Sequence, residues 1–122
     1  MLPAPYRLRH TAEISAVRQK GKHWHHPLAT LYVLANQRQQ TRFAFVAGRR
    51  VGKAVQRNRA KRLLREATRH CLNQIAPGWD CMIVARDKTA QANYEEVFAA
   101  AVQLLQRAHL LQPTADKGVS GP

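Results

Sequence analysis

Residues 49–69 read RRVGKAVQRNRAKRLLREATR and carry nine of the chain's 20 Lys and Arg against a single acid, Glu66. At about 100° per residue, the stretch 54–71 sorts itself by side. Ala60, Leu63, Leu64, Ala67 and Cys71 fall in one arc of roughly 100°, and Arg57, Lys61, Arg62, Arg65 and Arg69 fall in a separate arc of roughly 140°. A helix divided in this way must lie on an apolar layer and turn its charge outward. The spacing therefore predicts a helix over 54–71 with one buried face and one cationic face.

The layer beneath it is legible as strands. Residues 28–35 (LATLYVLA) and 42–47 (RFAFVA) are rich in β-branched, aromatic and aliphatic side chains. The polar turn between them predicts an antiparallel hairpin. Residues 80–86 (DCMIVAR) have a continuous apolar middle that suits a central strand. KHWHHP, after Gly21, reads as a short edge strand. Thr11 is expected to cap a helix over 12–20, with Glu13 in its first turn and Gly21 as its stop. Pro77-Gly78 marks a turn. Asn93 and Glu96 have the spacing of a capping box for a last helix, whose core stripe is Tyr94, Val97, Phe98, Ala101, Val102, Leu104, Leu105 and Ala108. Residues 1–10 read as an extended arm. The order α-β-β(-β)-α-β-α describes an α+β two-layer sandwich, a small mixed sheet covered by helices. It predicts one domain over 1–111 and a flexible tail over 112–122.

Of the 122 residues 45% are hydrophobic, enough for a core, which excludes a wholly disordered chain. The net charge of +13 repels itself, and a polyanion relieves that repulsion. Each cation set against a phosphate also displaces a condensed counterion, which favours nucleic acid as the partner. No apolar run approaches the roughly 20 residues of a membrane span. The first ten residues lack the apolar core of a secretory signal. Cys71 and Cys81 are too few for a disulfide scaffold and read as buried, reduced thiols. A soluble cytoplasmic protein without membrane association is expected.

The seven acids, Glu13, Glu66, Asp80, Asp87, Glu95, Glu96 and Asp116, are scattered, with no cluster to hold two metals for phosphoryl chemistry. No catalytic side chain and no protein-held metal is therefore assigned. His23, His25 and His26 flank Trp24, but no Cys or acid lies nearby in sequence to complete a site, so they read as a polar edge strand or loop. Arg57 and Arg59 offer forked donors for phosphate oxygens, which Lys does not match. Asn58 carries a donor and an acceptor, for a phosphate or hydrated metal, or for a local capping bond at the helix start. Gly48 and Gly52 permit a sharp turn and close approach of a partner.

Arg57-Asn58-Arg59, then Lys61-Arg62 and Arg65-Glu66, preceded by Arg49-Arg50-Val51-Gly52-Lys53-Ala54-Val55, resembles the signature of the bacterial ribonuclease P protein component. That family reads strand, two basic residues, a hydrophobic, Gly-x-Ala-Val, then Arg-Asn-Arg-x-Lys-Arg. Arg7-Leu8 opening the first helix, Gly21 closing it, Leu31-Tyr32, Asp80 and Arg86 fall where the family would put them, so the likeness covers 6–110. The resemblance implies a ribosomal-protein-like fold and a protein subunit that binds a large catalytic RNA. The complex removes the 5′ leader of precursor tRNA, and the RNA holds the Mg2+ ions and performs the hydrolysis. It implies that Arg49, Arg50, Lys53, Arg57, Asn58, Arg59, Lys61, Arg62, Arg65 and Arg69 face the catalytic RNA.

The resemblance also implies a cleft for the single-stranded leader between the first helix and the sheet. Relatives commonly present two aromatics there; the matching positions are Ile14 and Arg18, while Tyr32 matches the family's strand tyrosine. An aromatic stacked on an unpaired base contributes about 1–3 kcal/mol. Ile14 cannot stack in that way, whereas Arg18 can lay a planar guanidinium on a base or grip a phosphate. Leader binding is then expected to be more electrostatic than in relatives with both aromatics. A structural RNA-binding protein of ribosomal type stays open as the alternative. A DNA-binding regulator is disfavoured because a strand and a Gly-containing loop, not a helix, precede 54–71. A protein-only nuclease is disfavoured by the dispersed acids.

Overall fold

The structure is a computed structural model that describes residues 2–111; the predicted tail over 112–122 lies outside the described residues. Three helices, α1 (Thr11–Lys20), α2 (Ala54–Arg69) and α3 (Tyr94–Arg107), pack on four strands, β1 (Lys22–His26), β2 (Ala29–Ala35), β3 (Arg42–Val46) and β4 (Trp79–Ala85). The sheet order is β1-β2-β4-β3. β1 and β4 run antiparallel to β2, and β3 runs parallel to β4, so the sheet is mixed.

The expected hairpin between β2 and β3 does not form, because β4 lies between them. Cys81, Met82 and Ile83 are buried on alternating faces, so β4 is covered on both sides and takes an interior position. The 36–41 connection is tied to the turn before β4 instead of closing a hairpin. The Asn36 amide donates to the Gly78 carbonyl (3.0 Å), and the Thr41 hydroxyl donates to the Ala76 carbonyl (2.6 Å). Gly78, at φ 97°, takes a conformation that side chains disfavour, as the expected turn requires. β1 and β2 form the sheet's one antiparallel pair of consecutive strands; β3 and β4, also consecutive, pair in parallel.

Strand alternation gives the sheet two unlike faces. On one, Leu31, Val33, Phe43, Cys81 and Ile83 meet Ala60, Leu64 and Ala67 of α2 and Val97, Ala101, Leu104 and Leu105 of α3. A fully buried side chain of the Leu, Val or Phe type contributes about 1.5–3 kcal/mol, so this layer holds most of the stability. The predicted faces of α2 and α3 fit this layer, with Leu63 half-buried. Thr68 joins the core unannounced, since its hydroxyl donates to the Leu64 carbonyl (2.9 Å) and needs no outside partner. Asn93 and Glu96 form the expected capping box. Among the described apolar residues the other face buries only Leu8, Val17, Ala44 and Met82 fully, with Ile14, Tyr32, Leu34, Val46 and Val84 half-buried around them; Thr30 and Asp80 are its buried polar residues. α1 crosses part of this face and leaves the rest open.

The N-terminal segment differs from an extended arm. Leu2 and Leu8 are buried, Ala4–Tyr6 forms one 3-10 turn, and Arg7 bridges to Phe43 while the Leu8 amide donates to the Phe43 carbonyl (2.8 Å). Arg7-Leu8 thus straps the free edge of β3 instead of opening α1. Thr11 is inside α1; the N-cap is His10, without a side-chain bond. Gly21 ends the helix in an extended conformation. Its glycine is needed for space, because a Cβ there would sit 2.5 Å from the Val17 oxygen and 2.7 Å from the Val33 oxygen.

α1 is anchored by charge. Arg42 grips both Asp80 oxygens through Nε (3.0 Å) and NH2 (2.9 Å), and NH2 also reaches Glu13 of α1 (3.1 Å). Asn36 donates to the same Asp80 (2.8 Å). The hydrogen bond to Asp80 first, and then the one to Glu13, hold the guanidinium above its ordinary value despite burial. With Arg42 and Asp80 side chains 13% and 9% exposed, removing one partner strands the other. Asp80→Ala is expected to lose about 3–5 kcal/mol in urea unfolding. A second prediction concerns His26, whose Nδ1 accepts from the Leu28 amide (3.0 Å). Burial, then the Arg107 charge, hold its pKa below the ordinary 6.5, so the folded state favours the neutral ring. That contribution is present above the unfolded value and lost as pH falls through it. The thermal midpoint should therefore drop between about pH 7.5 and about pH 5.5, and His26→Asn should flatten the slope.

Candidate nucleic-acid interface

The basic segment begins where β3 leaves the sheet. Arg49–Val51 makes one 3-10 turn pinned by the buried Val51, and Gly52, at φ 136°, then reverses the chain in a region closed to side chains. Gly48 is different. It is extended, with open space where a Cβ would be, so the chain's own turn does not call for glycine there. α2 starts with Lys53 as N-cap, without a side-chain capping bond and without an acid in its first turn. Its free amides and positive dipole end are therefore not neutralised by the helix's own side chains.

The predicted cations do not all point one way. Arg49, Arg50, Lys53 and Arg62 are exposed, and Arg57 and Lys61 are half-buried. Arg59 is also exposed but lies along the protein surface: its Nε donates to the Ala90 carbonyl (2.8 Å) and its NH2 to the Ala92 carbonyl (3.5 Å), tying α2 to the loop before α3. Arg65 lies 5.7 Å from the Phe45 ring centre, over the edge strand. Arg69 grips Glu66 through two bonds (3.0 and 2.6 Å), and the Arg69 hydrogen bond holds that carboxyl below its usual range. Asn58 is exposed in the second turn and makes no hydrogen bond among the described residues, so the local capping bond is not formed. Val55, 78% exposed, is the large apolar side chain that the sequence reading passed over. Its helical position between Arg62 and Glu66 was the available signal.

The open sheet face brings Ile14, Arg18 and Tyr32 together. Ile14 and Tyr32 are half-buried against one small core with Val46 and Val84, and the Arg18 guanidinium carbon stands 6.0 Å from the centre of the Tyr32 ring. Arg49 and Arg50, grouped by sequence with α2, border the far end of this face. They share a hollow of about 380 Å3 with Thr30, Val84 and Arg86. Two residues that read in the sequence as a polar edge strand or loop continue the floor: His23 lies 5.5 Å from Tyr32, and His25 lies 4.9 Å from His23, between ring centres.

Cys71 and Cys81 are buried free thiols, and burial pushes both pKa values up, which suits packing and not reactivity. Among the described residues no group of three His, Cys, Asp or Glu is placed to hold a metal, and no helix is long and apolar enough to cross a membrane.

A family model described as Ribonuclease P matches residues 2–109. The chain belongs to the ribonuclease P protein family. It is 40% identical over 104 residues to the ribonuclease P protein component of Herpetosiphon aurantiacus, covering 85% of each chain. It is 40% identical over 116 residues to that of Roseiflexus sp. strain RS-1, covering 94% of each. The RNase P protein from Thermotoga maritima superposes with a TM-score of 0.75 at 27% identity, over 83% of this chain and 96% of that one. Its role is that of the protein component in tRNA 5′ processing, and the ribosomal-type alternative is not favoured.

The geometry separates two neighbours in the motif. Arg59→Ala should cost about 1–2 kcal/mol of folding stability through the lost carbonyl bonds, and Arg57→Ala less than about 0.5 kcal/mol, both read from urea unfolding.

Proposed function

We propose that the protein presents two surfaces from one rigid sheet: the start of α2 docks on the catalytic RNA of ribonuclease P, and the open face beneath α1 receives the 5′ leader of precursor tRNA. The observation that carries the reading is the first turn of α2. It lacks an acid and a side-chain cap, follows the Gly52 reversal, and has Arg49, Arg50, Lys53 and Arg57 around it. Free amides, a positive helix end and forked donors together suit the phosphates of a folded RNA. Arg59 and Arg69, bonded within the protein, orient this surface more than they extend it. Asn58 and Val55 complete it as polar and apolar contacts.

The leader reading rests on Tyr32 and Arg18. A base laid on the Tyr32 ring meets the guanidinium at its margin, and Ile14 forms an apolar wall without a π-face. Phosphates of the same strand meet Arg86 at the far end, where the leader surface borders Arg49 and Arg50 of the RNA surface.

The acids do not fit a metal site on the protein. Asp80 and Glu13 are committed to Arg42, Glu66 to Arg69, and Glu96 to the Asn93 cap. Their charges are neutralised or spent on a helix end, although Glu13 Oε1 has no partner, and Asp87 and Glu95 join no group of three possible metal ligands among the described residues. This supports a holoenzyme in which the RNA binds the Mg2+ ions and carries the phosphodiester chemistry, while the protein holds RNA and leader in register.

The two surfaces are separable by mutation. Arg57→Ala and Arg62→Ala are expected to weaken binding to ribonuclease P RNA and to lower the salt slope by about 0.9 per lost contact. Arg18→Ala and Tyr32→Ala are expected to reduce the preference for leader-bearing over leaderless precursor by about five-fold or more. The measurements are equilibrium binding to the RNA across a salt series and precursor binding by the reconstituted holoenzyme. Equal effects of both pairs in both assays would overturn the two-surface reading.

A further inference from the structure

We propose that His23 and His25 extend the floor of the leader cleft beyond Tyr32, seating further unpaired bases of the leader on edge strand β1. The proposal rests on the reading of the open face as the leader site and goes beyond it by naming residues outside α1 and β2.

The argument starts from strand alternation. Trp24 is half-buried against the large core under α2 and α3. A side-chain period of two then obliges His23 and His25 to face the opposite side, the side of Tyr32. Pairing puts His23 directly across from Tyr32 and His25 across from Thr30. The His23 ring is tilted 37° to the Tyr32 ring, and His25 meets His23 edge-on at 69°. His25 Nδ1 lies 3.1 Å from the Thr30 hydroxyl, which fixes that ring and leaves Nε2 for an outside partner. Both imidazoles are exposed, so their faces are available.

The row therefore runs from Arg18 and Tyr32 across to His23 and then along β1 to His25. It ends at a hollow of about 460 Å3 lined by His25, His26, Pro27, Arg86, Asp87 and Lys88. Imidazole faces stack on unpaired bases, and ring nitrogens bond base edges or phosphates. Cations stand at both ends of the row, Arg18 at one and Arg86 with Lys88 at the other, where they outnumber the single carboxylate of Asp87, which matches the backbone of a single strand passing over it. A single-stranded RNA fits this combination of stacking faces and flanking charge, and the leader is the strand that already reaches Tyr32.

The test uses holoenzyme reconstituted with ribonuclease P RNA. Precursors carry leaders lengthened one nucleotide at a time, and a parallel series carries one abasic position at each leader site. The parent protein should gain affinity at the Tyr32-dependent nucleotides and again at one or two beyond them. An abasic site at those outer positions should cost about five-fold. The His23→Ala/His25→Ala double variant should lose the outer gain and its abasic sensitivity while keeping the Tyr32-dependent step and its affinity for the RNA. His23→Phe should retain the outer gain. If the double variant reproduces the parent's length and abasic profiles, this proposal is overturned and the leader reading stands. If the parent gains nothing from any leader nucleotide, the leader reading fails and takes the proposal with it.

Discussion

The two-pronged bond between Arg42 and Asp80 is the constraint on which the open face depends. Both residues lie on the α1 side of the sheet, directly across from one another in the parallel β3–β4 pair. The same guanidinium reaches Glu13, so one side chain joins two strands and a helix. α1 needs this help, because Val17 is its only fully buried residue. Burying charges is costly unless their hydrogen-bonding capacity is met. Here Asp80 receives Arg42 twice and Asn36 once, whereas Glu13 keeps one buried oxygen, Oε1, without a partner. The helix is thus held at one end of the sheet, and the floor around Tyr32 stays uncovered.

The sheet divides its labour by face. One side meets α2 and α3 through a continuous apolar layer; the other is half-covered and polar at its margins. A chain with a net charge of +13 can afford an open face of this kind because the covered side carries the stability. The motif arginines show the same division on a smaller scale. Arg59, Arg65 and Arg69 touch carbonyls, a ring and a carboxylate within the protein, and thereby set the angle at which the remaining cations of α2 meet solvent.

The helices were readable because their signals are local. The 3.6-residue period over α2 and the Asn93–Glu96 pair each lie within a few turns of chain. Strand order was not readable. A period of two tells which face a side chain takes but not which strand lies alongside, and the polar 36–41 segment looks like a hairpin loop. What excludes the hairpin is bonding to Ala76 and Gly78, far along the chain. Leu2 and Leu8 carry no period at all, so the strap was invisible. In the candidate site the cationic arc was plain, but the lie of Arg59 along the surface depends on carbonyls of Ala90 and Ala92, which any residues supply. The histidine row needed one further fact, that β1 pairs with β2 in the register that sets His23 opposite Tyr32.

The position of β4 has a consequence for the growing chain. A ribosome delivers residues 1–78 before the strand that both β2 and β3 need as a neighbour. Until then only the β1–β2 pair has its partner, and the strap over β3 has no finished edge to close. α2, with its apolar side uncovered, also emerges before that sheet exists. Contacts of such long sequence separation are slow to close, and β2 and β3 cannot be joined until β4 is made. The strong positive charge of the waiting segment keeps nascent copies apart in the meantime.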